Sequence, residues 1–296
     1  MNAIDLSQLP FPEVVEQLDY ESILAEMTAD LVARDPDFAE LIESDPAIKI
    51  LEVAAYRELL VRQRVNDAAR SIMLAYAQGS NLDQLGANRN LSRLVIDPGD
   101  PDGTPPIPAV YESDKDFRSR IQLALEAITT AGSIGSYIFH GLGADGDVLD
   151  IQPLSPEPGS VNVYVLSRSG TGAPGAELLE KVDAALNQES VRPLTDSVTV
   201  QAAEIIEYAI DAELIMFPGP DPEVVRQSAE NKLNTYIEGI RKIGYDVTLS
   251  GIYAALHQPG VQSVSLTSPV ASIEILDGEA AYCTSIEVTA AEGTHV

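Results

Sequence analysis

Between Asp45 and Gln78 the chain runs DPAIKILEVAAYRELLVRQRVNDAARSIMLAYAQ, with no internal glycine and its only proline at Pro46. Proline suits a first helical turn, Asp45 before it can cap the N-terminus, and Gly79 follows as a stop. A helix of that extent is about 50 Å long at 1.5 Å per residue, more than the core of one small domain requires. Along it Ala47, Leu51, Ala54, Glu58, Val61, Val65, Ala68, Ile72 and Ala75 follow one another in alternating steps of four and three, the spacing of a coiled-coil seam. A second stripe of Ile50, Val53, Leu60 and Met73 lies beside it and implies more than one neighbour. Glu58, Arg62, Asn66, Asp67 and Arg70 interrupt this surface. They admit two readings: the solvated face of an ordinary globular helix, or polar layers that fix register in a bundle of several chains.

Charge bears on that choice. The chain carries −28 in all: residues 1–46 contribute −11, residues 47–95 contribute +3, and the rest −20. Such acidity repels nucleic-acid phosphates and anionic membranes, so neither is expected as a partner. The near-neutral stretch is the long helix, where close association meets least repulsion. No apolar run approaches the roughly 20 residues of a membrane span. The N-terminus MNAIDLSQLPFPEVVEQ shows no basic start and no apolar run of a secretory signal. With one cysteine, Cys283, neither an internal disulfide nor a multi-cysteine zinc site can form.

In chain order, residues 1–44 read as a segment that wraps another surface, with short helices at about 21–33 and 36–43. Residues 45–93 form the long helix and bundle region, where Asn81 caps a short turn that buries Leu82 and Leu85. LVIDPGDPDGTPPIPAV reads as a linker or surface arm over residues 94–112. Two related α+β units follow, at 113–203 and 204–285, with antiparallel or mixed sheets, and then a tail at 286–296. The first has a helix over 114–129, a short helix over 136–142, and strands VLDIQPL and SVNVYVL. The second has a helix over 222–243, a short helix over 250–257, and strands VQSVSLT and ASIEIL. Gly135, Tyr137 and Val148 recur at one offset as Gly251, Tyr253 and Val264, which suggests a duplication. Between them, alternation from Asp196 to Phe217 marks two successive strands. The fold class is α+β, a helical N-terminal region followed by these units.

No catalytic constellation stands out. His140 and His257 each close a short helix, where a cation suits the last carbonyls; His295 lies far from both. Cys283 has no neighbouring histidine to activate it. Asp97, Asp100 and Asp102 lack EF-hand spacing and its closing glutamate. Gly170-Thr171-Gly172 and Pro174-Gly175 precede a helix without a P-loop lysine or a dinucleotide-binding glycine pattern. No catalytic residue, cofactor or metal is expected.

Leu51-Glu52, Ala55-Tyr56-Arg57-Glu58, the run from Arg64 to Ala69, the run from Met73 to Ala77, Leu82-Asp83 and Leu85-Gly86-Ala87 together resemble the baseplate J proteins of contractile phage tails and phage-tail-like bacteriocins. Phe117-Arg118, Gly135-Ser136-Tyr137, Ser155-Pro156, Pro158-Gly159 and Arg192-Pro193-Leu194-Thr195 extend the resemblance over residues 45–280. It implies a structural wedge component of a baseplate, assembled in the bacterial cytoplasm and resident in the virion or tail particle. Two copies would join one copy of a second wedge protein in a heterotrimeric helical bundle. The C-terminal region would meet neighbouring wedges, the tail hub or sheath-initiating proteins, closing a ring that passes on the trigger for sheath contraction. On this reading Leu51, Ala54, Val61, Val65, Ala68 and Ile72 pack at the partner interface, and Glu58, Arg62 and Asn66 set register. Two other roles fit the composition: an acidic tail-fibre or spike connector, and a cell-wall hydrolase with an unrecognised carboxylate site.

Overall fold

Asp45 and Pro46 begin the longest helix among the described residues, and they do so through the expected chemistry: the Asp45 carboxylate accepts the Ala47 N–H at 2.9 Å, with Pro46 in the first turn. The computed structural model describes residues 6, 9, 10, 12, 14, 16–40, 45–128, 132–219 and 221–292. They fall into two units, residues 2–93 with 113–121, and residues 94–112 with 122–296. The expected helix over 36–43 is a 3-10 turn at Pro36–Glu40, residues 41–44 being outside the described residues.

The first unit is helical. Helix α1 (Tyr20–Arg34) packs against α2 (Pro46–Ser71), with Ile23 and Ala55 buried. At 26 residues α2 is about 39 Å long, shorter than the sequence implies. It ends without glycine or proline, and beyond its end a side chain from elsewhere takes two of the chain's carbonyls. Arg118 donates from Nε to Leu74 O (2.8 Å) and from Nη2 to Ala77 O (2.6 Å). The chain then turns through Met73–Ala77 into α3 (Gly79–Ala87), so Gly79 starts a helix instead of stopping one. Gln78 holds the cap position of α3 rather than Asn81, and Asp114 accepts the Gly79 N–H. Leu74, Ala77, Leu82, Leu85 and Leu91 meet Phe117 and Ile121 of α4 (Asp114–Leu123) in one small core. Phe117 lies so close to Gly86 that a Cβ there would collide with the ring, which leaves glycine as the residue that fits. Arg93 and Arg120 stand over the Phe117 ring at 5.1 and 5.5 Å. Arg93 also pairs with Asp83 and Asp114 at 2.6 Å each.

The second unit opens with a two-stranded ribbon, β1 (Val95–Asp97) against β2 (Val110–Tyr111), extended by mutual backbone bonds between Asp100 and Ile107. The Pro/Gly/Asp-rich stretch is therefore a hairpin-like arm. Asp97 and Asp100 accept the N–H groups of Gly99 and Asp102 and so turn the chain. Helix α5 (Ile134–Leu142) precedes the hairpin β3 (Val148–Glu157) and β4 (Ser160–Ser167); α6 (Ala176–Leu186) then crosses over to β5 (Ser197–Ala202). The sheet order is β3-β4-β5, antiparallel then parallel. Val148, Ile151, Val163 and Val165 pack there with Leu178, Val182 and Leu186 of α6.

One residue, Ala203, separates β5 from β6 (Glu204–Met216), the centre of a second sheet. Its even-numbered residues from Tyr208 to Met216 are buried, as the alternation predicts. Helices α7 (Pro222–Ile240) and α8 (Leu249–Leu256) lead to β7 (Val261–Ser268), antiparallel to β6; β8 (Glu279–Glu292) lies parallel on its other side. The α+β class with two mixed-sheet regions is therefore the observed one.

Three local expectations change. The segment ASIEIL is not a ladder strand; Ile273 makes an isolated bridge to Val247 in the turn between α7 and α8, and Ile275 is buried in the core of the second sheet. The partner that β6 uses instead is β8, which runs through residues 286–292 of the expected tail. The duplication holds only as a shared sheet plan, a centre strand with one antiparallel and one parallel neighbour. The centre strand comes second in chain order in the first sheet and first in the other. Tyr137 is buried and donates to Asp196 at 2.7 Å, whereas Tyr253 is 39% exposed, so the two do not correspond. The predicted helix over 114–129 ends at Leu123, with a 3-10 turn at Glu126–Ile128 and Thr129 outside the described residues.

Candidate assembly surface

At 100° per residue, Ile50, Ala54, Arg57, Val61, Arg64, Val65, Ala68 and Ile72 fall within an arc of about 100° on α2. All of these are exposed in the single chain. Ile50 and Ile72 keep about seven-tenths of their surface in water (70% and 71%), Val61 64% and Val65 55%. Val53 and Leu60 widen the strip on one side at 64% and 41%. Isolated exposed apolar residues are ordinary, but a continuous stripe along one helix marks an interaction surface.

The opposite face of α2 is satisfied by its own chain. Asn66, 3% exposed, accepts the Glu16 N–H at 3.1 Å and donates to the Glu16 carbonyl at 2.9 Å. Arg62 pairs with Glu58 and reaches the Glu16 carboxylate at 3.6 Å. The Tyr20 hydroxyl donates to the Glu52 carbonyl at 3.5 Å. The structure thus separates the nine candidate interface residues. Ala54, Val61, Val65, Ala68 and Ile72 share the open face; Leu51 and Glu58 sit half-buried at its border; Arg62 and Asn66 turn inward to the N-terminal segment. The open seam is rotated from the expected one toward Ile50 and Val53. Sequence spacing could not show this, because Asn66 fits equally well as an interchain layer or as an intrachain clamp.

The titratable groups elsewhere are engaged in structure. His140 is half-buried and burial pushes its pKa down; an interaction with the Ala127 backbone opposes this. His257 caps α8, its N–H donating to the Tyr253 carbonyl at 2.9 Å. His295 lies outside the described residues. Burial raises the Cys283 thiol, which donates to the Ser285 carbonyl. Among the described residues no group of three or more His, Cys, Asp or Glu side chains could hold a metal ion. Among them no helix is long and apolar enough to cross a membrane.

The chain thus combines mixed-sheet units with their own cores and a helix whose outer stripe is left uncovered. Comparison with known proteins agrees in kind. Family models described as the Baseplate J-like N-terminal domain, central domain and C-terminal domain match residues 43–100, 129–202 and 208–289. The second and third meet where β5 gives way to β6. Baseplate protein J of Escherichia phage P2 is 50% identical over 295 residues, covering 97% of this chain and 98% of that one. A chain of the 6-fold symmetrised cryo-EM structure of the anti-feeding prophage baseplate is 17% identical, with a TM-score of 0.41; the match covers 62% of this chain and 44% of that chain. The chain belongs to the baseplate J family.

Proposed function

We propose that this chain is a structural component of a contractile-tail baseplate wedge, acting by assembly and not by catalysis. The observation that carries the proposal is the uncovered stripe of α2 from Ile50 to Ile72, in a member of a baseplate family. In this reading residues 45–93 supply one helix of a bundle shared with a second copy and a second wedge protein. The ribbon over 94–112 is a surface arm. The two mixed-sheet regions, from β3 to β8, meet neighbouring wedges, hub or sheath-initiating proteins and close a ring, through which the contraction trigger passes. Assembly takes place in the bacterial cytoplasm and the chain ends in the tail particle.

Val65→Asp tests it. Val65 is exposed in the free chain, so the substitution leaves the monomer's own core alone. In a packed bundle an unpaired carboxylate costs several kcal/mol, a large part of the 5 to 15 kcal/mol that holds a typical domain together. Co-expression with the other tail proteins, read by size exclusion and native mass spectrometry, should show loss of the complex with an unchanged thermal midpoint of the purified chain. Normal assembly of Val65→Asp would remove the open stripe from the interface.

A further inference from the structure

The open face of α2 carries cations as well as apolar groups. Arg57 and Arg64 stand one heptad apart, in the same arc as Ile50, Ala54, Val61 and Ala68, and both are exposed. Among the described residues neither makes an ion pair or a hydrogen bond, in a chain with 46 acids against 18 lysines and arginines. Their nearest acids on the helix are engaged elsewhere: Glu58 with Arg62, and Asp67 with the Gln63 amide at 2.8 Å. Some other cations of the same unit have partners, Lys49 with Glu52, and Arg93 with Asp83 and Asp114.

Closing a packed seam over two unpaired guanidinium groups opposes association. A second copy in parallel register sets Arg57 on Arg57 and Arg64 on Arg64. An antiparallel copy packed by the same stripe offers them no carboxylate either, since Ile50, Ala54, Val61, Val65, Ala68 and Ile72 carry none. We infer that the residue facing this stripe belongs to a helix of a different protein, bearing carboxylates seven residues apart that receive Arg57 and Arg64. Guanidinium and carboxylate pair in a bidentate fork, which fixes register as well as partner. The surrounding charge fits: residues 47–95 carry +3 while the rest of the chain is strongly negative, so an acidic helix is turned away elsewhere and admitted here. The inference rests on the reading of α2 as a bundle helix, and it assigns the arginines to the second wedge protein, not to the second copy.

The full chain with Arg57→Lys, and separately with Arg64→Lys, keeps the charge and introduces an amine. Each variant is assembled into tail particles and treated with a carbodiimide, which joins amine to carboxylate with no spacer. Mass spectrometry should find a new crosslink from position 57 or 64 to an Asp or Glu in a helix of another protein, absent from the parent particle. Crosslinks confined to a second copy of this chain, or none in assembled particles, would overturn the inference. A second measurement uses the Arg57→Glu/Arg64→Glu double variant. With its thermal midpoint unchanged, its incorporation into complexes should fall at least about tenfold; undiminished incorporation also overturns it. If Val65→Asp abolishes assembly while the charge reversal does not, the bundle stands and only its acidic occupant falls. If Val65→Asp assembles normally, the bundle itself is lost.

Discussion

Asn66 and Arg118 show at the scale of single residues why polar groups on a helical surface are hard to assign from spacing. Each makes two hydrogen bonds to backbone groups remote in sequence, Asn66 to Glu16 and Arg118 to Leu74 and Ala77. Those partners lie 41 to 50 residues away, which no local pattern encodes. Asp114 is a third case, with a testable pH dependence. It accepts the Gly79 N–H at the start of α3 and pairs with Arg93; these two contacts, in that order, hold its carboxyl below its ordinary value. A carboxylate whose folded pKa is lowered contributes stability above its unfolded pKa, and the contribution is lost as pH falls through the folded value. Asp114→Asn should therefore destabilise the chain near pH 7, with the difference from the parent shrinking below about pH 4. Urea unfolding at pH 7 and pH 3 measures this. A deficit that is constant across the range would mean that the lost contact is not the ionised one.

At the scale of elements, what was legible in the sequence is what local chemistry encodes. The Asp45-Pro46 start of α2, the alternation of β6, and the hairpin of β3 and β4 around Gly159 all follow from caps, period and turn residues. The open stripe was legible as a four-three repeat, though rotated by a fraction of a turn, since both stripes of α2 are apolar and only tertiary contacts choose between them. What was missed depends on pairing at a distance. The sequence AAYCTSIEVTAA reads as weakly patterned because β8 carries an extra residue, Thr284, between its pairings with Tyr208 and Ala209 of β6, which shifts its inward set from Ala281 and Cys283 to Ile286 and Val288. Ending the chain at Ser285 tests the element. It removes the pairs Ile286 to Ile210 and Val288 to Ala212 and takes two apolar side chains out of the core of the second sheet. Val288 is buried and Ile286 partly so; at about 1.5 to 3 kcal/mol for a fully buried aliphatic group, the loss should reach at least about 2 kcal/mol. Urea midpoints followed by circular dichroism read it; a change within about 0.5 kcal/mol would return residues 286–296 to the status of a tail.

For the whole molecule, the distribution of charge matters more than its sum. The −28 is gathered in the N-terminal 46 residues and in the region after the long helix, while the stretch that holds the open apolar stripe is slightly positive. Self-repulsion among the remaining carboxylates acts against the folded state, because folding brings them closer. Screening relieves that term: the Debye length falls from about 30 Å at 0.01 M ionic strength to about 8 Å at 0.15 M. The thermal midpoint of the purified chain should therefore rise across that range, the reverse of what exposed ion pairs such as Arg34 with Asp30 would give if they dominated. Over the same range duplex DNA should show no retention of the chain, since its field repels phosphate where salt is lowest. A midpoint that falls with added salt would mean that paired charges outweigh repulsion. Salt-sensitive binding to DNA would mean that the positive stretch around α2 is open to nucleic acid, in place of the acidic helix assigned to it.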